Sequence, residues 1–197
     1  LRGTDGAVRL PGHVPLADEW TVEMWVKLDS RSPMWARLWE FGGGPSGGVE
    51  SASIFFTPQA CCGRGFGVWG RGGSTDGRWH TVSSSSTWKH YGSWVHVAAS
   101  LKRELLSTDQ TASVYYDGEL VASGAFSPKM RSVVGIDGGW IGRSARSTDA
   151  HLRADVDEFR VWGYARSAAG IKRAMRRPSL GSEGGLMLYI RFDERGS

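Results

Sequence analysis

An Asp-Gly pair, Asp117-Gly118, lies between Ser113-Val-Tyr-Tyr116 and Glu119-Leu-Val121, two runs of β-branched, aromatic and aliphatic residues. A two-residue connection of this kind needs positive φ, which glycine takes freely and aspartate tolerates. The segment is therefore predicted as a tight hairpin. The run before it, Trp94-Val-His-Val-Ala-Ala-Ser-Leu101, alternates Val95, Val97, Ala99 and Leu101 against Trp94, His96, Ala98 and Ser100. That period of two marks a strand with one apolar face, predicted to be central in its sheet.

The same pattern recurs along the chain. Gly6–Leu10, Trp20–Asp29, Trp35–Gly42, Ala52–Thr57, Phe66–Trp69, His80–Ser84, Trp94–Leu101, Ala112–Asp117, Glu119–Ser123, Gly139–Arg143, Ala154–Trp162 and Leu186–Asp193 read as strands separated by Gly, Ser, Asp and Pro clusters. Many short strands with turn signals between them predict an all-β sandwich or barrel. In Trp20–Asp29, Val22, Met24, Val26 and Leu28 form the core face, while Glu23, Trp25 and Lys27 share the other. A large ring between two charges implies either a second layer folded over that face or a surface prepared for a ligand.

One helix is predicted, from Ser167 to about Arg177. Ser167 suits the N-cap, Ile171, Ala174 and Met175 make an apolar stripe, and Lys172, Arg173, Arg176 and Arg177 complement the C-terminal end of the dipole before Pro178. Gly42–Ser51 reads as a loop and Ser83–Lys89 as a strand end or an excursion. A chain of 197 residues, 40% hydrophobic and 22% charged, fits one domain, 1–197, with a sizeable core. No apolar run approaches the length of a membrane-spanning helix. The net charge of +4 admits anionic partners, although a basic solvated surface accounts for it as well. Cys61 and Cys62 are adjacent, a spacing strained for a mutual disulfide, which leaves free thiols, a bond to another chain or a buried pair. No Cys/His spacing supports zinc. The chain lacks an initiator Met and its first residues already read as strand, so it reads as a processed product or a piece of a longer protein.

Several segments, in order, resemble one family. Leu1-Arg-Gly-Thr-Asp5-Gly6-Ala-Val-Arg-Leu-Pro11 is similar to its opening strand, and Trp20-Thr-Val-Glu-Met-Trp25-Val-Lys to its Glu-x-Trp-Val strand. Trp94-Val-His96-Val-Ala, Val114-Tyr-Tyr-Asp117-Gly118, Trp140-Ile-Gly142-Arg, Asp155-Val-Asp157-Glu158-Phe-Arg160 and Gly185–Asp193 resemble later ones. The family is the laminin-G-like domains of the concanavalin A-like jelly rolls, related to pentraxins. The resemblance implies an all-β, two-sheet antiparallel jelly-roll sandwich with one short accessory helix near the C-terminus. It makes Trp25 a framework ring. Gly170 departs from the family's Glu in the first helical turn, which predicts a softer helix start. The middle, Gly42 to Lys89, has no clear counterpart, and differences in function are expected there.

The resemblance further implies a structural Ca2+ held by Asp5 and Asp157, a setting with plain turn and strand roles as its alternative. It implies a non-catalytic binding or adhesion module for a glycan or a protein, in an extracellular or lumenal setting. The alternatives are a scaffold subunit of a large complex and a glycan-active enzyme. The ten Trp include Trp69, Trp79, Trp88 and Trp140, outside the best-defined strands, as rings on which sugars could stack, with core packing as the competing role. Lys172, Arg173, Arg176 and Arg177 could dock an acidic partner, or simply complete the helix end. The Gly63–Gly73 stretch reads as a Gly-punctuated strand rather than a nucleic-acid contact. Asp155-Val-Asp157-Glu158 lacks the alternating carboxylates of a jelly-roll glycanase, and no nucleophile or zinc-His motif is present.

Overall fold

The computed structural model describes residues 6–10, 16, 18–42, 53–62, 64–71, 79–86, 88, 90–105, 109–126 and 139–193. Among these the strands are β1 (Val8–Arg9), β2 (Trp20–Leu28), β3 (Trp39–Gly42), β4 (Ser53–Thr57), β5 (Gly67–Arg71), β6 (His80–Ser83), β7 (Trp94–Arg103), β8 (Gln110–Tyr116), β9 (Glu119–Ala125), β10 (Gly139–Ile141), β11 (Ala154–Trp162) and β12 (Leu186–Ile190). A single helix, α1 (Ala168–Ala174), separates β11 from β12. All pairs are antiparallel, in two six-stranded sheets ordered β1-β10-β3-β4-β5-β6 and β12-β11-β2-β7-β8-β9. The result is a jelly-roll sandwich, and each predicted strand has its counterpart.

The alternation of the sequence becomes the inter-sheet core. Val22, Met24, Val26 and Leu28 face Ile54, Phe56, Val68 and Val82 of the other sheet within one cluster. Each fully buried aliphatic side chain contributes about 1.5–3 kcal/mol. Trp20 and Trp39 meet edge to face at 6.1 Å across this interior. β3 begins later than the sequence pattern implies, because Trp35 takes φ 65° and the Pro33–Ala36 segment turns before the strand starts.

The hairpin forms as predicted, with Asp117 at φ 50° and Gly118 at φ 78°. The Asp117 carboxylate accepts the His96 N–H at 2.9 Å, and the Asp117 N–H donates to the His96 carbonyl at 2.8 Å. The loop is thus pinned to its neighbouring strand.

Helix α1 lies on the outer face of the second sheet, where Ile171 packs with Ala98 and Tyr115. Ser167 caps it by accepting the Gly170 N–H at 3.2 Å, so half of the capping arrangement survives without a Glu at position 170. The helix stops at Ala174, short of Arg177. Its last carbonyls are taken by the sheet: Trp25 Nε1 donates to the Met175 carbonyl at 2.8 Å, and Arg160 donates to those of Ala174 and Arg177. Trp25 is therefore a framework ring under the helix. Beneath it sits a sealed polar group in which Glu23 accepts from Trp162 Nε1 at 3.0 Å and from Arg166, with Arg160 at 3.7 Å and His96 at 3.9 Å. Burial raises the Glu23 carboxyl above the usual range, against the pull of Arg166 and Arg160.

Candidate functional site

The outer face of the first sheet is built differently. Strand register places Arg9, Trp140, Glu40, Phe55, Trp69 and Thr81 side by side, one residue per strand across all six strands. At the spacing of neighbouring strands, Trp140 to Thr81 spans roughly 19 Å. The equivalent row on the second sheet runs Tyr189, Arg160, Glu23, Ala98, Tyr115 and Leu120, with Ile171 of α1 packed over its middle.

Over the first row lies a cleft of about 350 Å³, whose lining includes Trp35, Arg37, Phe55, Trp69, Trp79 and Thr81. Its floor is a stack. Phe55 and Trp69 lie parallel, 6.0 Å apart, and the Arg37 guanidinium sits 3.6 Å from the centre of the Phe55 ring. Trp35 meets Trp69 edge-on at 5.7 Å, and Trp79 meets Phe55 at 5.6 Å. Trp35 is half-buried, while Trp79 is 45% exposed and is the ring most open to a ligand.

Arg37 ties the floor together. It donates to Glu40 Oε2 at 3.3 Å, to Asp149 Oδ2 at 2.9 Å and to the Trp35 carbonyl. Glu40 also accepts from the Ala145 N–H at 3.4 Å. Burial pushes the Glu40 carboxyl up and the Arg37 guanidinium down from their ordinary values, and their mutual attraction opposes both movements. The two carboxylates are thus held by one cation.

The four Trp singled out from the sequence part company here. Trp69 and Trp79 come together at the cleft, Trp79 as its exposed wall and Trp69, 3% exposed, as buried packing beneath it. Trp140 stands farther along the same row, half-buried, with the Arg143 guanidinium 4.5 Å over its ring. Trp88 must be corrected: it is 2% exposed in the core, against Phe66 at 5.8 Å and Tyr116 at 5.4 Å, beyond the reach of a ligand. Trp35, Arg37, Phe55, Glu40 and Asp149 were not singled out. Their one local signal is a pair of charges, Arg37 and Glu40, inside an otherwise apolar run.

Asp157 is half-buried: its Oδ1 accepts the N–H of Glu158 at 2.7 Å and that of Phe192 at 3.4 Å, closing the bulge at which Glu158 takes φ 51°. Asp5 lies outside the described residues. Among the described residues there is no group of three or more His, Cys, Asp or Glu that could hold a metal ion, and the Asp5 half of the implied Ca2+ pair is not among them. Lys172 pairs with Glu119, while Arg173, Arg176 and Arg177 are exposed, the last two beyond the helix end. Cys61 and Cys62 are free thiols, the second exposed. A hollow of about 530 Å³ at the far end of β2, lined by Lys27, Asp29, Arg31, Tyr91, Arg153 and Asp155, is larger but spends its charges internally. Arg31 binds Asp29 at 2.6 Å and holds its carboxyl well below the usual range, and Lys27 lies 3.8 Å from Asp155.

No curated protein matches this chain in sequence. Among solved structures it is similar to domain 4 of AbnA, a GH43 extracellular arabinanase from Geobacillus stearothermophilus in complex with arabinotriose, with TM-score 0.64 and 19% identity over 85% of this chain and 71% of that one. The CBM40 of the Ruminococcus gnavus IT-sialidase, bound to α2,3-sialyllactose, gives TM-score 0.59 and 14% identity over 85% and 95%. A heptameric SAP-like pentraxin from Limulus polyphemus gives 0.55 and 14% over 95% and 86%. At such identities these are likenesses of fold. By sequence, the laminin-G family model described as the concanavalin A-like lectin/glucanases superfamily matches residues 2–172, and the chain belongs to that family.

Proposed function

We propose that this domain is a non-catalytic glycan-binding module whose ligand lies across the outer face of β3-β4-β5-β6. The observation that carries the reading is the cleft in which Trp79, 45% exposed, and the half-buried Trp35 stand over the buried Phe55 and Trp69 rings, with Thr81 beside them. Sugar rings present C–H faces that stack on aromatics and hydroxyls that bond to nearby polar groups, and this cleft offers both. Solved relatives of the same fold that carry arabinotriose and sialyllactose support it. An extracellular or lumenal setting goes with the reading, as for the extracellular arabinanase.

The test is a glycan array followed by calorimetric titration of each hit. Trp79→Ala removes the exposed ring and is expected to weaken binding by about 10- to 100-fold, the scale of one buried aromatic contact, with the melting temperature unchanged. Product release from the bound glycan would place the domain among enzymes instead. Absence of any glycan ligand, together with purification as part of a large complex, would favour the scaffold reading.

A further inference from the structure

We infer that the cleft selects glycans bearing an oxyanion, a carboxylate or a sulfate ester, and that Arg64 and Arg146 are its cationic contacts; this rests on the glycan-binding reading above. Both arginines line the cleft and both are exposed. The cleft's own carboxylates cannot satisfy them, because Glu40 and Asp149 are engaged with Arg37. Among the described residues neither Arg64 nor Arg146 has a carboxylate within ion-pair distance; the side chain of Arg64 reaches only Thr81 Oγ1, at 3.5 Å.

The backbones that carry the two cations are fixed, although among the described residues their guanidinium groups bind no carboxylate. Arg64 closes a turn through its N–H to the Cys61 carbonyl at 3.2 Å. The next residue, Gly65, donates to the Ser84 carbonyl at 2.8 Å and passes so close that a Cβ there would fall 1.8 Å from the Ser86 carbonyl oxygen. On the other side the Arg146 N–H is held by Ser144 Oγ at 3.0 Å, and the Arg146 carbonyl accepts from the Asp149 N–H at 3.2 Å. Since Asp149 is itself anchored to Arg37, the turn carrying Arg146 is tied to the cleft floor. Two forked donors on fixed backbone, beside the exposed Trp79 ring and, among the described residues, out of ion-pair reach of the cleft's carboxylates, match a planar or tetrahedral oxyanion attached to a sugar.

Matched pairs test this: sialyllactose against lactose, trigalacturonate against its methyl ester, and a sulfated disaccharide against its desulfated form. Titration of the whole domain is expected to give at least about tenfold tighter binding for the acidic member of one pair or more at low ionic strength, narrowing as salt screens the contact. The pairs that respond tell carboxylate from sulfate. Arg64→Gln and Arg146→Gln should abolish most of that preference while leaving the neutral member's affinity within about twofold. Arg103→Gln, an equal charge change at the end of β7 on the other sheet, should alter neither. Equal binding of acidic and neutral members, or an Arg103→Gln effect as large as the others, overturns the inference and leaves glycan binding standing. If no glycan binds, the glycan reading itself falls, and the inference with it.

Discussion

His96 is 1% exposed, 5.4 Å from the Trp25 ring, with no hydrogen-bond partner on Nδ1. Burial, reinforced by Arg160 and Arg166, lowers its pKa to about 3. The folded protein therefore refuses the proton that the unfolded chain accepts near 6.5. Stability is lost as pH falls from that value toward 3, at up to about 1.4 kcal/mol per pH unit. Glu23 acts in the opposite sense: its raised carboxyl takes up a proton in the fold before the unfolded chain does, so acidification through that value favours the native state. His96→Gln should remove the histidine contribution, and urea midpoints measured across the acid range should fall less steeply with acidification than those of the parent. Parallel curves would show that His96 does not contribute. At this scale the sequence is least transparent. His96 was visible as a motif residue, yet the charges that tune it come from β11 and the segment before α1. Likewise Arg37 meets Asp149 from 112 positions away, and nothing local in either segment announces the pair. Trp88 misled for a related reason: its Ser-rich neighbourhood looks like a loop, and only the packing of Phe66 and Tyr116 draws the ring inward.

Gly118 serves two elements at once. Its φ of 78° is that of a hairpin glycine, and a Cβ there would stand 2.7 Å from the Lys172 Cβ on α1. Gly92 shares the conformation, φ 75°, with open space around it. Gly92→Ala should thus cost only the left-handed strain, about 1–2 kcal/mol, whereas Gly118→Ala should cost about 2–4 kcal/mol, because the helix must also shift. Chemical denaturation of the two variants checks this, and equal losses would mean that hairpin and helix are not tightly docked. The hairpin, the strands and the helix start were legible because turn chemistry, period-two alternation and an N-cap serine are local signals. The helix end was not, since Trp25 and Arg160 withdraw its carbonyls from sequence positions far upstream.

Across the molecule, four of the sheet pairings join strands distant in sequence: β1 joins β10, β10 joins β3, β11 joins β2 and β2 joins β7. Closing such long loops before contacts reward it makes folding slow, in the range of milliseconds to seconds. Truncation after Glu183 removes β12 and bares the edge of β11. It is expected to replace a single cooperative thermal transition by a broad one with aggregation, read by circular dichroism and light scattering; a sharp, unshifted transition would show β12 to be dispensable. The two-sheet plan could be anticipated from the family resemblance, while the contrast between an outer face covered by a helix and one that carries a cleft needed the register of all twelve strands. Of the ten Trp, two are exposed by as much as 45%, Trp79 at the cleft and Trp94 on the opposite sheet. Iodide should therefore quench the emission of those two rings most strongly, and a saccharide seated over Trp79 should shield one and leave the other, giving binding an optical readout that requires no label.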